Sequence, residues 1–594
     1  MSISTLDWGI IATFLTITMG IGIWTSRRAG KSSEEYFLSG RNMSWWMLGM
    51  SMVATTFSTD TPNLVTDLVR QNGISGNWVW WAFLLTGLVT VFIYARLWRR
   101  SAVNTDLEFY ELRYGGAPAT FLRGFRSVYL GLFFNVMAMA GVCLAAIKIG
   151  EVMLGLSPIE TIGIAAVITV IFSSLGGLTG VIYTDMILFV VAMVGAVGAA
   201  VVSVNHPDVG GLSNLLTHEN VQDKLNILPD FTDPEAFIPL FIIPLAVQWW
   251  SSWYPGAEPG GGGYVAQRML AAKDENHALS ATFFFNIAHY AFRPWPWIVV
   301  ALASLVVFPD LASIQEAFPN VSDDKLGHDL GYPAMLTFLP TGLLGIVLTS
   351  LIAAFMSTIS THLNWGASYL VNDFYKRLIR PEANDKEMVN AGRLITVVLM
   401  GLSAVMAFFL QDATQLFNII LMFGAGTGLV FILRWFWWRI NAWSEIAAMF
   451  SSGIISLTIE FGGVYPESMP DWGKFPLIVA LTTIIWVGVT FLTKPESKKT
   501  LRDFFIRTQP GGPGWEKVVR DAHEDGVMIQ SDAQKWIVPQ GMLAVIVGCI
   551  CVYSALFATG YWIYGKWQLA LGLTILSSLM GFVLSRIWPK DTIF

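Results

Sequence analysis

Charged residues are scarce in this chain: Asp, Glu, Lys and Arg make up 13% of its 594 residues, whereas hydrophobic residues make up 54%. Soluble globular domains carry about 25% charged residues, so this composition excludes an ordinary water-soluble protein. The formal net charge is only -6, and the positive residues form no basic patch that would indicate a nucleic-acid partner. The lipid bilayer is therefore the expected solvent.

Cysteine and histidine are scarce as well. The three cysteines, Cys143, Cys549 and Cys551, all lie in apolar segments, which is typical of small buried side chains and not of a disulfide or metal framework. The seven histidines show no close metal-ligand spacing, and no nucleophile-base motif is present. We therefore expect no enzymatic activity.

Long apolar runs dominate the sequence instead. A helix needs about 20 apolar residues to cross a bilayer. By this criterion about fifteen segments are predicted to cross, at 6–26, 43–70, 77–99, 125–149, 159–175, 179–204, 237–268, 278–308, 340–375, 388–411, 414–433, 441–464, 474–493, 537–559 and 566–587. The first of them is followed, not preceded, by positive residues, so it is interpreted as a retained helix and not as a cleaved signal peptide.

The positive residues between these segments predict the orientation of the chain. Lys and Arg concentrate in alternate gaps, beginning with Arg27, Arg28 and Lys31, and cytoplasmic loops carry an excess of such residues. We therefore expect a multi-pass protein of the plasma (inner) membrane, with its N-terminus outside and its C-terminus in the cytoplasm. The longest remaining stretch, a cytoplasmic loop at 494–536, is interpreted as a connector.

Two of the predicted spans are interrupted by residues that cannot continue a helix in lipid. The second span contains the polar run 55–63, where Pro62 disfavours helix at Thr61, and the seventh contains the Pro- and Gly-rich run 253–263. Four intact spans separate the two, which is the pattern of a five-plus-five inverted repeat with a binding site near the middle of the bilayer. This pattern predicts transport by alternating access. The alternative for the seventh span is an early helix end followed by a plain loop.

The ninth span offers oxygen atoms to a cation. Ala354, Ser357 and Thr358 share one helix face, so that one carbonyl and two hydroxyls converge. Carbonyls freed at the first break, from Ala54 and Phe57, would complete an oxygen site for Na⁺. The alternative is that the two hydroxyls bond to their own helix or link helices.

Asp185, in the sixth span, is a second candidate for ion coupling. A carboxylate inside a membrane span is expected to serve function, and Asp185 could relay or hold a cation, a second sodium ion included. The alternative is a position at the cytoplasmic interface, where a carboxylate costs little.

Four motifs in order make the chain resemble the sodium/solute symporters, a family that includes sodium-galactose, sodium-proline and sodium-sialic acid transporters. They are 35–41, Gly176–Gly177 with 183–185, Gln267–Arg268 with 271–273, and 354–358. The resemblance implies an all-α LeuT-like core of ten helices at 43–433, preceded by an extra helix in 1–42 and followed by extra helices in 434–594. It also implies Na⁺ as the coupling ion, bound by Ala54, Phe57, Ala354, Ser357 and Thr358, with Asp185 beside it. Ala354 stands where one branch of the family has a second-site hydroxyl, which argues against two-sodium coupling.

Aromatic and hydrogen-bonding side chains near the two breaks are candidates for solute binding. Aromatic faces stack on sugars while amides and charges bind hydroxyls, so a sugar is the expected solute. The alternative for the tryptophans is packing or anchoring at the membrane interface. The candidates are Thr61, Asn77, Trp80, Trp249, Trp250, Trp253, Tyr254, Glu258, His289, Arg293 and Asn418.

Arg293 lies near the middle of the eighth span, where a charge without a partner would cost several kcal/mol. Its partner is expected to be either Glu258 or an anionic solute. The sequence therefore favours a sodium-coupled sugar importer and leaves open a sialic acid, another sugar acid or an amino acid as the solute. A transporter-like sensor remains the alternative outside transport.

Overall fold

The computed structural model describes residues 3–29, 31–251, 258–319, 321–410, 420–466, 468–527, 529 and 536–588. Within these residues every regular element is helical, apart from an isolated bridge between Met43 and Ala272. A helix satisfies its backbone hydrogen bonds internally, which a segment surrounded by lipid must do. The all-helical prediction is confirmed for the described chain.

The principal helices follow one another along the chain with short connections. The first nine are α1 (Thr5–Ala29), α2 (Trp45–Thr56), α3 (Asp60–Asn72), α4 (Ile74–Ser101), α5 (Gly116–Leu154), α6 (Pro158–Val204), α7 (Pro234–Ala246), α8 (Gly263–Ala271) and α9 (Glu275–Val307). The next nine are α10 (Leu343–Ile379), α11 (Asp385–Ala407), α12 (Gly428–Leu433), α13 (Ala442–Phe461), α14 (Asp471–Leu492), α15 (Lys498–Thr508), α16 (Glu516–Glu524), α17 (Val538–Ile563) and α18 (Trp567–Ile587). Shorter helices in the connections are Ser33–Leu38, Glu108–Arg113, Leu212–Thr217, Leu311–Ala317 and Gly331–Leu336.

Eleven helices in the described part of the chain are long and apolar enough to cross a bilayer. The other predicted segments fall on interrupted, shorter or only partly described helices: α2 with α3, the first part of α6, α7 with α8, and 414–433. Gly177 divides α6 with φ 54° and ψ -165°, between the segments predicted at 159–175 and 179–204. The count of about fifteen crossings stays a prediction.

The first predicted break is confirmed, although Pro62 has a different role from the one expected. α2 ends at Thr56 and α3 begins at Asp60. Pro62 lies in the first turn of α3, where its missing N–H would have no helical acceptor, and Thr61 before it is helical. The expectation that Pro62 excludes helix at Thr61 is therefore wrong.

The second break is confirmed in its described part. α7 ends at Ala246, and apart from a single 3₁₀ turn at Gln248–Trp250 the described chain is not helical again until Gly263. Gly260 and Gly261 have φ values of 93° and 75°, which glycine adopts without the steric penalty that other residues incur. These two residues therefore require glycine in the run that the sequence shows. Residues 252–257 lie outside the described chain.

Helix α6 provides the framework on which the first break rests. It packs against α1, α2, α9 and α10. This arrangement brings the end of α2 next to the middle of α10 and places Asp185 of α6 between them. The first break is thus fixed by helices that are themselves uninterrupted at that level.

The segment expected to act as a connector, 494–536, contains two helices, α15 and α16. The Trp515 indole Nε1 donates a hydrogen bond to the Trp435 carbonyl at 2.9 Å, and the Arg113 guanidinium lies 5.0 Å from the centre of the Trp515 ring. The described part of this segment therefore packs against the core.

Candidate functional site

The last turn of α2 is the centre of the first break. The last carbonyls of a helix have no partner within it and need other donors. The Thr55 carbonyl accepts from the Thr358 hydroxyl at 2.6 Å, and the Ala54 carbonyl accepts from the Phe57 amide at 3.0 Å. Ala54 and Phe57 are each 2% exposed.

The two hydroxyls predicted from α10 lie directly against this turn. Ser357 and Thr358 are completely buried and Ala354 is 1% exposed. Thr358 contacts α2 through Thr55, whereas the Ser357 hydroxyl donates to the Asp185 carboxylate at 2.6 Å. The hydroxyls therefore link helices and do not bond only to their own turn. Hydroxyl and carbonyl oxygens of this kind fit a hard cation such as Na⁺.

Asp185 is buried in the protein, and the alternative of an interfacial position is wrong. Its exposure is 0%, and both Ser51 and Ser357 donate hydrogen bonds to its carboxylate. The Arg268 guanidinium lies 3.8 Å away and also donates to Thr361 at 2.8 Å. Arg268 supplies a positive charge that offsets the buried carboxylate. Sequence reasoning quoted Arg268 only as part of a motif and missed this pairing.

Several predicted solute-binding residues meet on the other side of the first break. The Trp80 ring stacks on Tyr290 at 5.9 Å and meets His289 edge-on at 5.6 Å. His289 Nδ1 lies 3.3 Å from the Thr56 hydroxyl, and the Thr61 hydroxyl donates to the Thr56 carbonyl at 3.4 Å. Trp80, His289 and Thr61 therefore surround one residue, Thr56.

The remaining aromatic and amide candidates are distributed differently. Asn77 is completely buried and accepts a hydrogen bond from the Trp80 indole at 2.9 Å, so it orients that ring. Trp249 accepts a hydrogen bond at its carbonyl from Thr86, and Trp250 packs against a cluster that contains Ile459 and Ile478. Three further candidates lie outside the described residues: Trp253, Tyr254 and Asn418.

Arg293 does not pair with Glu258. Its guanidinium Nη1 donates to the Val53 carbonyl at 3.2 Å and to the Thr56 hydroxyl at 2.8 Å, while Nη2 donates to the Thr56 carbonyl at 2.5 Å. The guanidinium also lies 5.0 Å from the centre of the Trp297 ring. The expected Arg293–Glu258 pair is therefore wrong, because the guanidinium is aimed at the carbonyl end of α2.

Glu258 belongs instead to a group that we call the inner charge cluster, which consists of Arg126, Glu258, Arg434 and Glu445. Arg126 donates a hydrogen bond to Glu258, and Arg434 lies 3.9 Å from Glu258 and 3.3 Å from Glu445. The exposure of these four residues is 4% or less. The cluster connects the second break to α5, α13 and the end of α12 on the side predicted to face the cytoplasm.

A small polar pocket adjoins the inner charge cluster, with a volume of about 40 Å³. It has room for about one water molecule. Glu258, Thr86, Thr90 and Asn286 supply polar atoms to its wall, and Tyr264 covers it from α8. Asn286 is completely buried, with a side-chain oxygen that has no hydrogen-bond partner among the described residues. Sequence reasoning missed Asn286, although a lone amide beside three phenylalanines was a usable signal.

On the opposite side, the connection between α9 and α10 covers α3. Arg70 at the end of α3 donates to the Ser304 hydroxyl at 3.0 Å and to the Phe308 carbonyl at 2.8 Å, and its Nε lies 3.3 Å from His328 Nδ1. Lys148 of α5 pairs with Asp329 at 2.7 Å. Buried polar contacts therefore close the described chain on both sides of the breaks.

Helices that are interrupted at mid-membrane, with buried oxygens gathered at one break and charged contacts above and below, define a secondary transporter. This class accounts for the polar side chains that a purely structural membrane bundle would not retain.

Comparison with known proteins identifies the family. The chain matches the model of the sodium:solute symporter family over residues 36–452, more than half of its length, and it belongs to that family. These are sodium-coupled membrane transporters and not enzymes.

Curated relatives and a solved structure agree with this assignment. The chain is 26% identical over 512 residues to a sodium/glucose cotransporter of Vibrio parahaemolyticus, covering 83% of this chain and 91% of that protein. It is 28% identical over 495 residues to a sodium/mannose cotransporter of Bos taurus, covering 77% and 80%. A Na⁺-coupled sialic acid symporter, solved substrate-bound and outward-open, superposes with a TM-score of 0.67 at 20% identity, covering 83% of this chain and 99% of that one. The last likeness confirms the LeuT-like fold class.

Proposed function

We propose that this protein imports a small, neutral, polar solute of the sugar class together with Na⁺ by alternating access. The observation that carries the proposal is the hydrogen bond from Thr358 of α10 to the Thr55 carbonyl. It joins an intact helix to the last turn of an interrupted one, at the place where a bound cation would hold the two together. Sodium binding and helix closure would then be one event.

The distribution of hydrogen bonds at the end of α2 supports the proposed ligands. Side chains donate to the carbonyls of Val53, Thr55 and Thr56. Ala54 accepts only from the Phe57 amide, and the Phe57 carbonyl has no donor within the described residues. The two carbonyls proposed for sodium are thus the two that other side chains leave accessible. Ala354, Ser357 and Thr358 would complete the site, with Asp185 beside it.

The surroundings of Arg293 support a neutral solute. An anionic solute was one way to satisfy this charge, but carbonyl oxygens and aromatic faces already do so. Asp60, at the first residue of α3, adds a negative charge that acts on Arg293. The solute would lie against Trp80, His289 and Thr61, where stacking and hydroxyl contacts suit a sugar. The relatives named for glucose and mannose support the same class.

The arrangement in the membrane is part of the proposal. The residues 43–433 would form the transport core, with the helices before and after it as additions. The N-terminus would lie outside the plasma membrane and the C-terminus in the cytoplasm, because the positive residues flank the spans in that pattern.

Uptake by purified protein in liposomes tests the proposal. Labelled glucose or mannose should accumulate only with an inward Na⁺ gradient, and an inside-negative potential should increase accumulation, since each charge gains about 2.3 kcal/mol per 100 mV. Accumulation that is equal in sodium and in choline would refute sodium coupling. Sodium-dependent uptake of N-acetylneuraminate but of neither sugar would refute the neutral solute and leave the coupling intact.

A further inference from the structure

Arg293 is the most unusual buried charge that the proposed mechanism does not use. It lies in α9 directly before Pro294, which has no N–H to donate, and the preceding turn, Ala288–Phe292, widens into a π-helix. Its exposure is 1%, so the guanidinium must be satisfied by the protein around it.

The contacts of Arg293 converge on the end of one helix. Two of its nitrogens donate to the Val53 and Thr56 carbonyls and to the Thr56 hydroxyl. Its guanidinium lies 5.4 Å from the centre of the Phe57 ring and thus against the first residue after α2. A positive group at this position also complements the negative end of the helix dipole.

We propose that Arg293 is a positioning residue for sodium binding, which caps the carbonyl end of α2 so that the Ala54 and Phe57 carbonyls remain free for the ion. This inference rests on the proposed function. Holding Val53 and Thr56 in a fixed geometry also fixes the peptide groups between and after them, because neighbouring carbonyls of a helix end share their dihedral angles. The planar fork of arginine suits this task, whereas a lysine ammonium is a flexible point charge.

The same residue would connect sodium to the solute. His289 lies 3.3 Å from the Thr56 hydroxyl that Arg293 also contacts, and His289 meets the Trp80 ring. A solute that rests on Trp80 and His289 would therefore stabilise the arrangement that Arg293 imposes on Thr56. Sodium and solute would favour one conformation of the break without touching each other.

Electrostatics and positioning predict opposite signs, which makes the role testable. A positive charge near the site repels Na⁺, so a purely electrostatic role predicts tighter sodium binding in Arg293→Met and no change in Arg293→Lys. The positioning role predicts that Arg293→Lys, which keeps the charge and loses the fork, raises the half-saturating sodium concentration about tenfold. That is the effect of losing one to two hydrogen bonds.

The measurement is the thermal stabilisation of purified full-length protein by NaCl, compared with choline chloride, without any solute. Arg70→Met is the matched control, since Arg70 is another buried arginine bonded to a carbonyl but lies at the far end of α3. It should lower the melting temperature and leave the half-saturating sodium concentration within twofold of wild type.

A milder variant keeps the test decisive if Arg293→Lys does not fold. Thr56→Val removes only the hydroxyl contact at 2.8 Å and should raise the half-saturating sodium concentration about threefold. Unchanged sodium dependence in a folded Arg293→Lys or Thr56→Val protein would overturn the inference. A wild-type protein that shows no stabilisation by sodium would instead contradict the proposed function itself.

Discussion

The inner charge cluster permits a prediction whose size follows from burial. Glu258 is 2% exposed and offsets Arg126 and Arg434, which are 3% and 4% exposed. Arg434 keeps Glu445 at 3.3 Å if Glu258 is neutralised, but Arg126 retains only aromatic and sulfur contacts. Removing one partner of a buried ion pair costs about 3 to 5 kcal/mol. We use the lower value because Arg434 stays paired.

The cost of Glu258→Gln is relieved when the cluster opens to water, since a hydrated guanidinium needs no carboxylate. The variant should therefore favour the conformation that is open to the cytoplasm. At about 1.4 kcal/mol per factor of ten, a change of about 3 kcal/mol corresponds to roughly a hundredfold shift in population. The small polar pocket beside Glu258 would become accessible in the same step.

Cysteine labelling measures this shift. Thr90→Cys places a thiol in the pocket wall, in a background where Cys143, Cys549 and Cys551 are replaced by alanine. An impermeant maleimide applied to the cytoplasmic face should label the Glu258→Gln protein up to about a hundred times faster than its parent.

The matched control for this experiment is Glu275→Gln. Its pair with Arg100 is about one quarter exposed on both sides, and such pairs contribute about 1 kcal/mol or less. Labelling of Thr90→Cys should therefore change less than about sixfold in that protein. Equal labelling rates in Glu258→Gln and its parent would refute the view that the cluster holds this side closed.

Three further predictions address other parts of the molecule. Replacing Ser357 and Thr358 by alanine should raise the sodium concentration needed for half-maximal uptake at least tenfold, because two oxygens would leave the proposed site; a sodium titration of uptake that matches wild type would refute their role. The pKa of His328 is lowered by burial and by the charge of Arg70, so its stabilising effect is present above the unfolded value of about 6.5 and is lost as the pH falls below it; the melting temperature should drop more on acidification for wild type than for His328→Asn, and parallel pH profiles would contradict this. Gly87→Ala would place its Cβ 1.7 Å from the Asn286 side-chain oxygen and should cost about 1 to 3 kcal/mol in thermal unfolding, whereas Gly572→Ala meets nothing within 4 Å and should not destabilise; equal losses in both would exclude overpacking as the cause.

The breaks could be predicted from the sequence because their cause is local. A helix in lipid cannot contain the polar run 55–63 or the glycine run 260–263, whatever surrounds it. Asp185 could be predicted for the same reason, since a single carboxylate in an apolar run has no structural explanation. These features depend on residue type and on the membrane alone.

The partners of the buried charges could not be predicted in this way. Arg126 and Arg434 were interpreted as topology markers because they lie near the ends of spans, yet both pair with Glu258. Which of several arginines meets a given carboxylate depends on how the helices pack, which no local pattern encodes. Pro62 was misjudged for a related reason: its effect depends on whether it ends one half-helix or begins the next.

The charges around the first break set limits on how the proposed site could work. Arg268 and Arg293 bring two positive charges to this region, and Asp185 and Asp60 offset them. A bound Na⁺ would therefore add one net charge to a region already close to neutral, and burying an uncompensated charge is unfavourable. Oxygen ligands at the end of α2, held by Thr358 and Arg293, are the groups available to stabilise it. Modest sodium affinity that improves when the solute orders this turn is what such a balance of charges would produce, and it is the property that coupled transport requires.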